Sequence, residues 1–301
     1  MRTVSLLFHD VYSADPRESG FESPGADRYK LSLRQFDAQL AGLAQVRADA
    51  PVLVQDISGG VKASGYRSVE LTGGPKVAGG LKPTGGLKAS GYLGVDVPYL
   101  LTVDDGGVSY FTFVADRLEA RGWRGHCFVS TDTIGTRGFL TASQLRELDM
   151  RGHVIGTHSA SHPARFSACD PAHMREEWAR SRMVLEDLLG HPVEIASVPG
   201  GYYSRRVARS ARDAGLRILF TSEPITTSLD EDGTLVIGRF TLRRGHSTDR
   251  AGRLARRGPW TRYQEWASWR AKGLVKPLLG PLYSPTADWL LSRIRPSHAC
   301  H

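Results

Sequence analysis

The chain has 301 residues, 41% hydrophobic and 23% charged, and these ordinary globular proportions exclude wholesale disorder. No run approaches the roughly 18 apolar residues of a membrane-spanning helix, and the apolar stretch near the start is too short for a signal peptide. Cys127, Cys169 and Cys300 form neither a disulfide framework nor a zinc-finger spacing, so we expect a reducing, cytoplasmic location.

The net charge of +8 is concentrated towards the carboxyl end of the chain. Residues 243–276 hold ten Lys or Arg against Asp249 and Glu265, and such a segment attracts anions. Acidic glycans, phosphate-bearing glycolipids or an anionic membrane surface are the expected partners, with a merely solvated basic face as the alternative. Nucleic acid is not favoured, because no recognised nucleic-acid-binding motif accompanies the charge. We therefore expect at most a peripheral association with a membrane.

The first predicted elements are a strand, a helix and a second strand, followed by a low-complexity insert. VSLLFHDVY predicts a buried strand, the next segment is a helix with Phe36, Leu40 and Leu43 on one face, and PVLVQDI predicts another strand. Residues 57–94 are rich in paired glycines, and the words VKASGY and LKASGY recur there. Glycine at this density disfavours an ordered helix. We interpret the segment as a surface insertion, with a substrate-binding lid as the alternative.

After the insert, predicted strands and helices alternate. The strands are PYLLTVDD, GHCFVS, VIGTHS, EIASVPG, RILFTS and LVIGRFTL. Two of the helices carry start signals, a capping-box pattern at Thr141 and Pro171 at the first helical position after Asp170. Repeated β-α units predict a parallel barrel or a doubly wound sheet, with functional loops at the carboxyl ends of the strands. The simplest organisation is one catalytic domain over residues 1–245 and a basic extension over residues 246–301.

Polar residues follow two of these strands where each strand ends. Asp104 and Asp105 come after PYLLTV, and His158 and His162 follow VIGT with small residues between them. The carboxyl ends of parallel strands meet at one mouth, so these groups are expected to converge. Two imidazoles and one carboxylate suit Zn²⁺ or a similar divalent ion, while the other carboxylate faces the ion's water. Each motif alone is commoner in turns and on surfaces, and their conjunction indicates the site.

These blocks resemble those of the polysaccharide deacetylases, the NodB-like carbohydrate esterases of family 4. VDDGG is similar to the family's T-F-D-D-G block and HSASH to its H-S/T-x-x-H block, within a resemblance that spans roughly residues 98–221. The resemblance implies a distorted (β/α) barrel in which Asp104 is the general base and Asp105, His158 and His162 hold a divalent metal, first of all Zn²⁺. The implied reaction is the removal of acetyl groups from an N-acetylated glycan or glycolipid.

The family's third block, R-x-P-x-G, is altered in this chain to SVPGG. Pro199 and Gly201 match, and Gly200 takes the position whose N–H stabilises the oxyanion in the family. Ser197 replaces the arginine that steadies the catalytic aspartate, which removes a charge-assisted hydrogen bond. Three other arginines could supply it, namely Arg205, Arg206 and Arg239.

The family's remaining blocks are not recognisable, which leaves the general acid and the activity open. His246 in RGHSTDR is the candidate that would protonate the leaving amine, with an ordinary surface histidine as the alternative. His9 could face the same mouth or only satisfy its own turn. Two further interpretations stay open. One is a catalytically degenerate member that binds glycan, and the other is another metallohydrolase such as an O-acetyl esterase.

Overall fold

The computed structural model describes residues 1–58, 97–256 and 260–279. The strands are β1 (Val4–Phe8), β2 (Val11–Tyr12), β3 (Leu31–Ser32), β4 (Tyr99–Val103), β5 (His126–Val129), β6 (Val154–Thr157), β7 (Ile195–Ser197), β8 (Ile218–Phe220), β9 (Leu229–Glu231), β10 (Thr234–Ile237) and β11 (Arg239–Thr241). The α-helices are α1 (Leu33–Val46), α2 (Val54–Ile57), α3 (Ala115–Glu119), α4 (Ala142–Met150), α5 (Pro171–Leu189), α6 (Arg205–Asp213), α7 (Arg250–Ala255) and α8 (Trp260–Leu279). A π-helical turn, Tyr110–Val114, leads into α3.

The main sheet has the order β11-β1-β4-β5-β6-β7-β8-β10-β9, and every neighbouring pair is parallel except β9 with β10. β10 pairs with β8 and β11 pairs with β1, although only Gly238 separates β10 from β11 in the chain. The two sides of the curved sheet therefore meet at Gly238. A Cβ there would lie 2.3 Å from the carbonyl oxygen of Glu223, so only glycine fits this junction. The distorted (β/α) barrel predicted from the sequence is confirmed.

Alternate side chains of the strands point into the barrel or outward onto the helices. The inward set packs as one apolar cluster and includes Leu100, Phe128, Ile195, Ile218, Phe220 and Ile237. The outward set belongs to a second cluster with helix residues and includes Leu101, Val103, Cys127, Ile155 and Phe240. Side chains alternate with a period of two along a strand. Asp104, four residues after the inward-facing Leu100, is therefore aimed into the same interior.

Several local predictions are confirmed. The hydroxyl of Thr141 accepts the backbone N–H of Gln144 at 3.3 Å, and the Gln144 side chain accepts the N–H of Thr141 at 2.9 Å, which completes the capping box of α4. Asp170 caps α5, with Pro171 at its first position. The predicted apolar face of α1 is buried. These caps fix where each helix begins and so how long each strand-to-helix loop can be.

Two element predictions are wrong. PVLVQDI is not a strand, because its end forms the short helix α2, whose Val54 is fully buried and donates its N–H to Nε2 of His126 at 3.0 Å. A short apolar run fits a buried strand or a buried helical turn equally well, so periodicity could not separate them. LVIGRFTL is two strands rather than one, because the chain changes partner at Gly238. Residues 59–94 of the predicted insert lie outside the described residues.

The basic carboxyl-terminal region contains two helices that the sequence did not predict. α7 packs on α1 so closely that a Cβ on Gly252 would lie 2.4 Å from the Gly42 carbonyl oxygen, and Leu254 belongs to the main core. α8 follows, and Trp260 and Tyr263 are exposed on its surface. The domain boundary at residue 245 stays a prediction. Across the described helices, none combines the length and the apolar character needed to span a membrane.

Candidate active site

The carboxyl end of β4 begins the site. Asp104 and Asp105 follow Val103 directly, and the backbone turns sharply there, with φ of 80° at both Asp105 and Gly106. A left-handed conformation is costly for a residue with a Cβ, so the surrounding structure must hold Asp105 in place. The turn separates the two carboxylates: Asp104 enters the barrel interior and Asp105 faces the end of β6.

Asp105, His158 and His162 converge on one point. Oδ1 of Asp105 lies 3.5 Å from Nε2 of each histidine, and one ligand atom from each of the three residues lies within 4.8 Å of the others. Nδ1 of His158 lies 2.9 Å from the carbonyl oxygen of Ser197, so Nδ1 carries a proton and Nε2 is the atom that faces Asp105 and would bind a metal. Two imidazole nitrogens and one carboxylate oxygen in a buried setting fit a divalent ion such as Zn²⁺.

The loop that carries His162 has a strained backbone held by a buried carboxylate. Ser159 and His162 have φ of 66° and 56°. Glu177, on α5 and only 2% exposed, accepts the N–H groups of Ala160 at 3.1 Å and Ser161 at 2.8 Å. The hydroxyl of Ser159 accepts the N–H of His162 at 3.1 Å. These bonds fix the direction in which the His162 ring points.

Arg239 on β11 holds Asp104. Its two terminal nitrogens donate to the two carboxylate oxygens at 2.7 and 2.8 Å, and the second also donates to the hydroxyl of Ser197 at 2.7 Å. That hydroxyl donates to Asp104 at 2.9 Å. Of the other arginines left open by the sequence, Arg205 lies 3.5 Å from Glu231, and Arg206 donates to the Cys169 carbonyl oxygen at 3.4 Å. Arg239 is therefore the guanidinium that faces Asp104.

The charges of the site set its protonation states. Burial alone would raise the pKa of Asp104, but the charges of Arg239 and His158 and the hydrogen bonds from Arg239 bring it below its ordinary value. Burial opposes ionisation of Asp105 too, yet its interactions with His158, His9 and His162 lower its pKa. Burial and the charge of His158 lower the pKa of His162 to about 4. At neutral pH both carboxylates are ionised and His162 is neutral, as a base and a metal ligand require.

The predicted oxyanion loop, Pro199, Gly200 and Gly201, turns directly after β7. Gly200 and Gly201 have φ of 68° and 71°, and a Cβ on Gly201 would lie 2.0 Å from Oγ of Ser222. The turn begins two residues after Ser197, so it lies beside the group that touches Asp104. The stabilisation of an oxyanion by the N–H of Gly200 stays a prediction.

His246, the candidate general acid, and His9, which was left between the mouth and its own turn, are placed differently. His246 is partly buried in the turn after β11, where its Nδ1 accepts the N–H of Arg243 at 3.2 Å, and its role as the acid stays a prediction. His9 follows β1, and the Phe8 carbonyl oxygen before it accepts the N–H of Asp104 at 3.2 Å. Nδ1 of His9 is buried without a hydrogen bond in the described part of the chain. Burial lowers the pKa of His9, while the charges of Asp105 and Asp104 oppose this shift, which places the ring near both carboxylates.

Sequence reasoning missed two buried carboxylates that support the site. Glu177 lies beside Trp178 on the buried face of α5, and an acid on such a face was the available signal. Asp10 accepts the hydroxyls of Ser19 at 2.6 Å and Ser109 at 3.0 Å. Burial and the charge of Asp105 raise the pKa of Asp10 to about 6. No comparable sequence signal marked Asp10.

Residues 96–219, which include the ends of β4 and β6, match the family model described as polysaccharide deacetylase. The chain carries a polysaccharide deacetylase domain. The family resemblance drawn from VDDGG and HSASH is thus confirmed.

Two curated proteins are similar to the polysaccharide deacetylase domain. YxkH of Bacillus subtilis, whose name assigns it provisionally to the polysaccharide deacetylases, is 26% identical over 132 residues, which cover 44% of this chain. A gellan lyase from Bacillus sp is 28% identical over 34% of this chain. The matches span 47% of YxkH and 4% of the lyase, so the chain aligns with less than half of either relative.

Solved deacetylase structures share the fold. The polysaccharide deacetylase BC0361 from Bacillus cereus has a TM-score of 0.61 at 16% identity, covering 85% of this chain and 69% of its own. IcaB from Ammonifex degensii has a TM-score of 0.57 at 21% identity, covering 88% of this chain and 97% of its own. The Streptococcus pyogenes deacetylase PplD, solved with acetate, has a TM-score of 0.57 at 17% identity, covering 83% and 96%.

Proposed function

We propose that this polysaccharide deacetylase domain removes acetyl groups from the amino sugars of a glycan or glycolipid by metal-dependent hydrolysis. The proposal is carried by one observation. Asp105, His158 and His162 present three ligand atoms within 4.8 Å of one another, beside an Asp104 carboxylate that Arg239 holds at 2.7 Å. The family match supports deacetylation of a glycan as the class of reaction.

The metal ligands in this proposal are Asp105, His158 and His162. A bound Zn²⁺ would polarise the acetyl carbonyl and make the attacking water more acidic. Asp104 accepts the proton of that water as its oxygen bonds to the acetyl carbon. The N–H of Gly200 is the proposed donor to the developing oxyanion. The bond between carbon and nitrogen then breaks as the amine takes a proton, for which His246 is the proposed donor, and acetate leaves.

The pairing of Asp104 with Arg239 favours an enzyme over a catalytically inactive glycan-binding protein. Burying a carboxylate is costly unless it is paired and hydrogen-bonded, and this one is kept ionised beside a ligand set. A protein that only binds sugar has no use for such a base.

Acetate release tests the proposed function. The protein would be stripped with a chelator, reloaded with Zn²⁺, and given either the N-acetylglucosamine tetramer or an O-acetylated xylan oligosaccharide. We expect acetate from the tetramer, loss of activity with chelator, and recovery with metal. Acetate from the xylan alone would assign an O-acetyl esterase, and no acetate from either would favour the glycan-binding alternative.

We also propose that the protein works in the cytoplasm, peripherally at an anionic membrane. The exposed Trp260, Tyr263 and Trp269 on α8 support this proposal, because aromatic side chains favour the membrane interface. Some of the local positive charge is engaged internally, since Arg250 pairs with Glu265 and the buried Arg262 donates to backbone carbonyls. Co-sedimentation with anionic vesicles across a salt series tests this, and an absence of binding at low salt would leave α8 as a structural element.

A further inference from the structure

Residues after β1 and β11, together with the first turns of α1, line an open cavity that takes no part in the proposed hydrolysis. Its volume is about 550 Å³, and it is lined by Tyr12, Ser32, Arg34, Gln35, Ala38, Arg244 and Thr248. The guanidinium of Arg244 lies over the Tyr12 ring, with its carbon 5.2 Å from the ring centre. The cavity therefore combines cationic groups with an aromatic face.

This cavity lies at the same end of the barrel as Asp104. β1 is parallel to both β4 and β11, so the residues that follow these strands emerge at one face. Tyr12 lies four residues after β1 ends, and Arg244 lies three residues after β11 ends. Because neighbouring strands are about 4.8 Å apart, the ends of β4 and β11, on either side of β1, are separated by roughly 10 Å. One extended ligand can reach both places.

A row of rings and guanidinium groups connects the mouth of the active site to the cavity. The ring of His9 lies 4.8 Å from that of Tyr29, and the guanidinium carbon of Arg243 lies 6.0 Å from the centre of the Tyr29 ring. Arg244 follows, and its backbone N–H donates to the carbonyl oxygen of Arg28 at 2.9 Å, which fixes the chain there. Tyr12 and Tyr29 are half-buried, so part of each ring can offer apolar area to the C–H face of a sugar ring.

No carboxylate of the described residues neutralises the positive charge of the cavity. Among the described residues that line it, none is Asp or Glu. Within residues 1–58, 97–256 and 260–279, neither Arg34 nor Arg244 forms an ion pair, whereas Arg250 and Arg253 of the same basic region each face a carboxylate. Ser32 and Gln35 bond to each other in the capping box of α1. The guanidinium groups are therefore what the cavity offers to a ligand, and their planar donors match phosphate and carboxylate.

We propose that this cavity binds an anionic group, a phosphate or a carboxylate, on the same glycan whose N-acetyl group lies beside Asp104. This inference rests on the proposed function and extends it, because it defines the substrate as an acidic glycan. Arg34 and Arg244 bind the charged group, and Tyr29 and Tyr12 contact the sugar rings on either side of Arg243. The anchor places the acetyl group in the site and takes no part in its hydrolysis.

Titration calorimetry tests directly whether the cavity with Arg34 and Arg244 binds an anionic group. Three probes would be compared: the N-acetylglucosamine tetramer, the same tetramer with a phosphate monoester on its terminal C6, and the tetramer oxidised there to a carboxylate. Binding would be measured in the Zn²⁺-loaded Asp104→Asn background, so that hydrolysis does not accompany it. We expect at least one charged tetramer to bind about tenfold more tightly than the neutral one at low salt. The charged tetramer that binds more tightly shows whether the cavity prefers a phosphate or a carboxylate.

Substitution of the two arginines tests whether they cause the preference for a charged probe. Arg34→Gln and Arg244→Gln should each remove most of the preference for the charged probe, and together all of it, with the affinity for the neutral tetramer unchanged. Arg175→Gln, an exposed arginine on α5, is the matched control and should keep the preference. Equal binding of all three probes, or a preference that survives the double variant, overturns the inference. Because binding is scored without turnover, failure to release acetate counts against the proposed function alone.

Discussion

Asp104 and Asp105 are neighbours in the chain, yet they belong to two sides of the site that are held by different forces. On the arginine side, Asp104 is fixed by charge, through a two-pronged bond from Arg239. On the histidine side, Asp105 and His162 have left-handed backbones with φ of 80° and 56°. The histidine side therefore depends on a strained backbone that hydrogen bonds must hold in place. Substitutions on the first side should change proton transfer, and those on the second should change metal affinity.

Loss of a histidine should have the largest effect. We expect His158→Ala or His162→Ala to abolish metal retention and activity, because two remaining ligands cannot hold a divalent ion against a chelator. Metal content of the purified variants measures this. His173→Ala, at an exposed position on α5, is the control and should retain wild-type metal. Wild-type occupancy in both test variants would contradict the Asp-His-His assignment.

Substitutions of the two aspartates should affect the two sides of the site differently. Asp104→Asn should retain its metal and lose roughly 10² to 10⁴ of the rate, the usual contribution of a positioned general base. Asp105→Asn should instead show weakened metal binding as its primary defect. Steady-state rates measured together with metal content at each Zn²⁺ concentration distinguish the two outcomes. Metal loss in Asp104→Asn with retention in Asp105→Asn would exchange the two roles.

Glu177 should act through the histidine side alone. Glu177→Gln retains the size of the side chain but weakens its bonds to the loop amides, so we expect metal affinity to fall about 10- to 100-fold, as for other groups that orient ligands. The rate at saturating metal should stay near wild type. Glu176→Gln removes a neighbouring, exposed carboxylate and should change neither quantity. An equal loss of metal affinity in both variants would attribute the effect to net charge and not to the hydrogen bonds between Glu177 and the loop amides.

Arg239→Lys should have the smallest effect, confined to the arginine side. Lysine retains the charge but not the paired donors, so the pKa of Asp104 should rise towards its ordinary value. The acid limb of the pH profile of kcat/KM then moves to higher pH, and the rate at neutral pH falls about tenfold because lysine orients the carboxylate with fewer donors. A carboxylate with a lowered pKa stabilises the fold above its ordinary pKa and loses this as pH falls. The stability difference from wild type should therefore shrink in acid, and an unmoved acid limb would contradict the pairing.

Residues that directly follow an apolar strand could be predicted from the sequence, whereas those that depend on which strands pair late in the chain could not. Asp104 and His158 each follow an apolar strand, so parallel packing was enough to bring them together. Arg239 stayed one of three candidates, because nothing in LVIGRFTL reveals that the chain changes partner at Gly238. Glu177 was missed although an acid on the buried face of α5 was a signal, because its partners are loop amides, which have no sequence signature of their own.

The junction at Gly238 also determines when folding of the sheet can be completed. β1 pairs with β11 through Ser5 and Arg239, so a contact at one end of the barrel waits for a segment far along the chain. Contacts between such distant residues slow folding, because the intervening chain must be ordered first. During synthesis one edge of β1 therefore stays without its partner until nearly the whole barrel has left the ribosome. An unpaired strand edge is a template for aggregation. Production of this protein should consequently be limited by chaperone supply and growth temperature more than by the stability of the folded barrel.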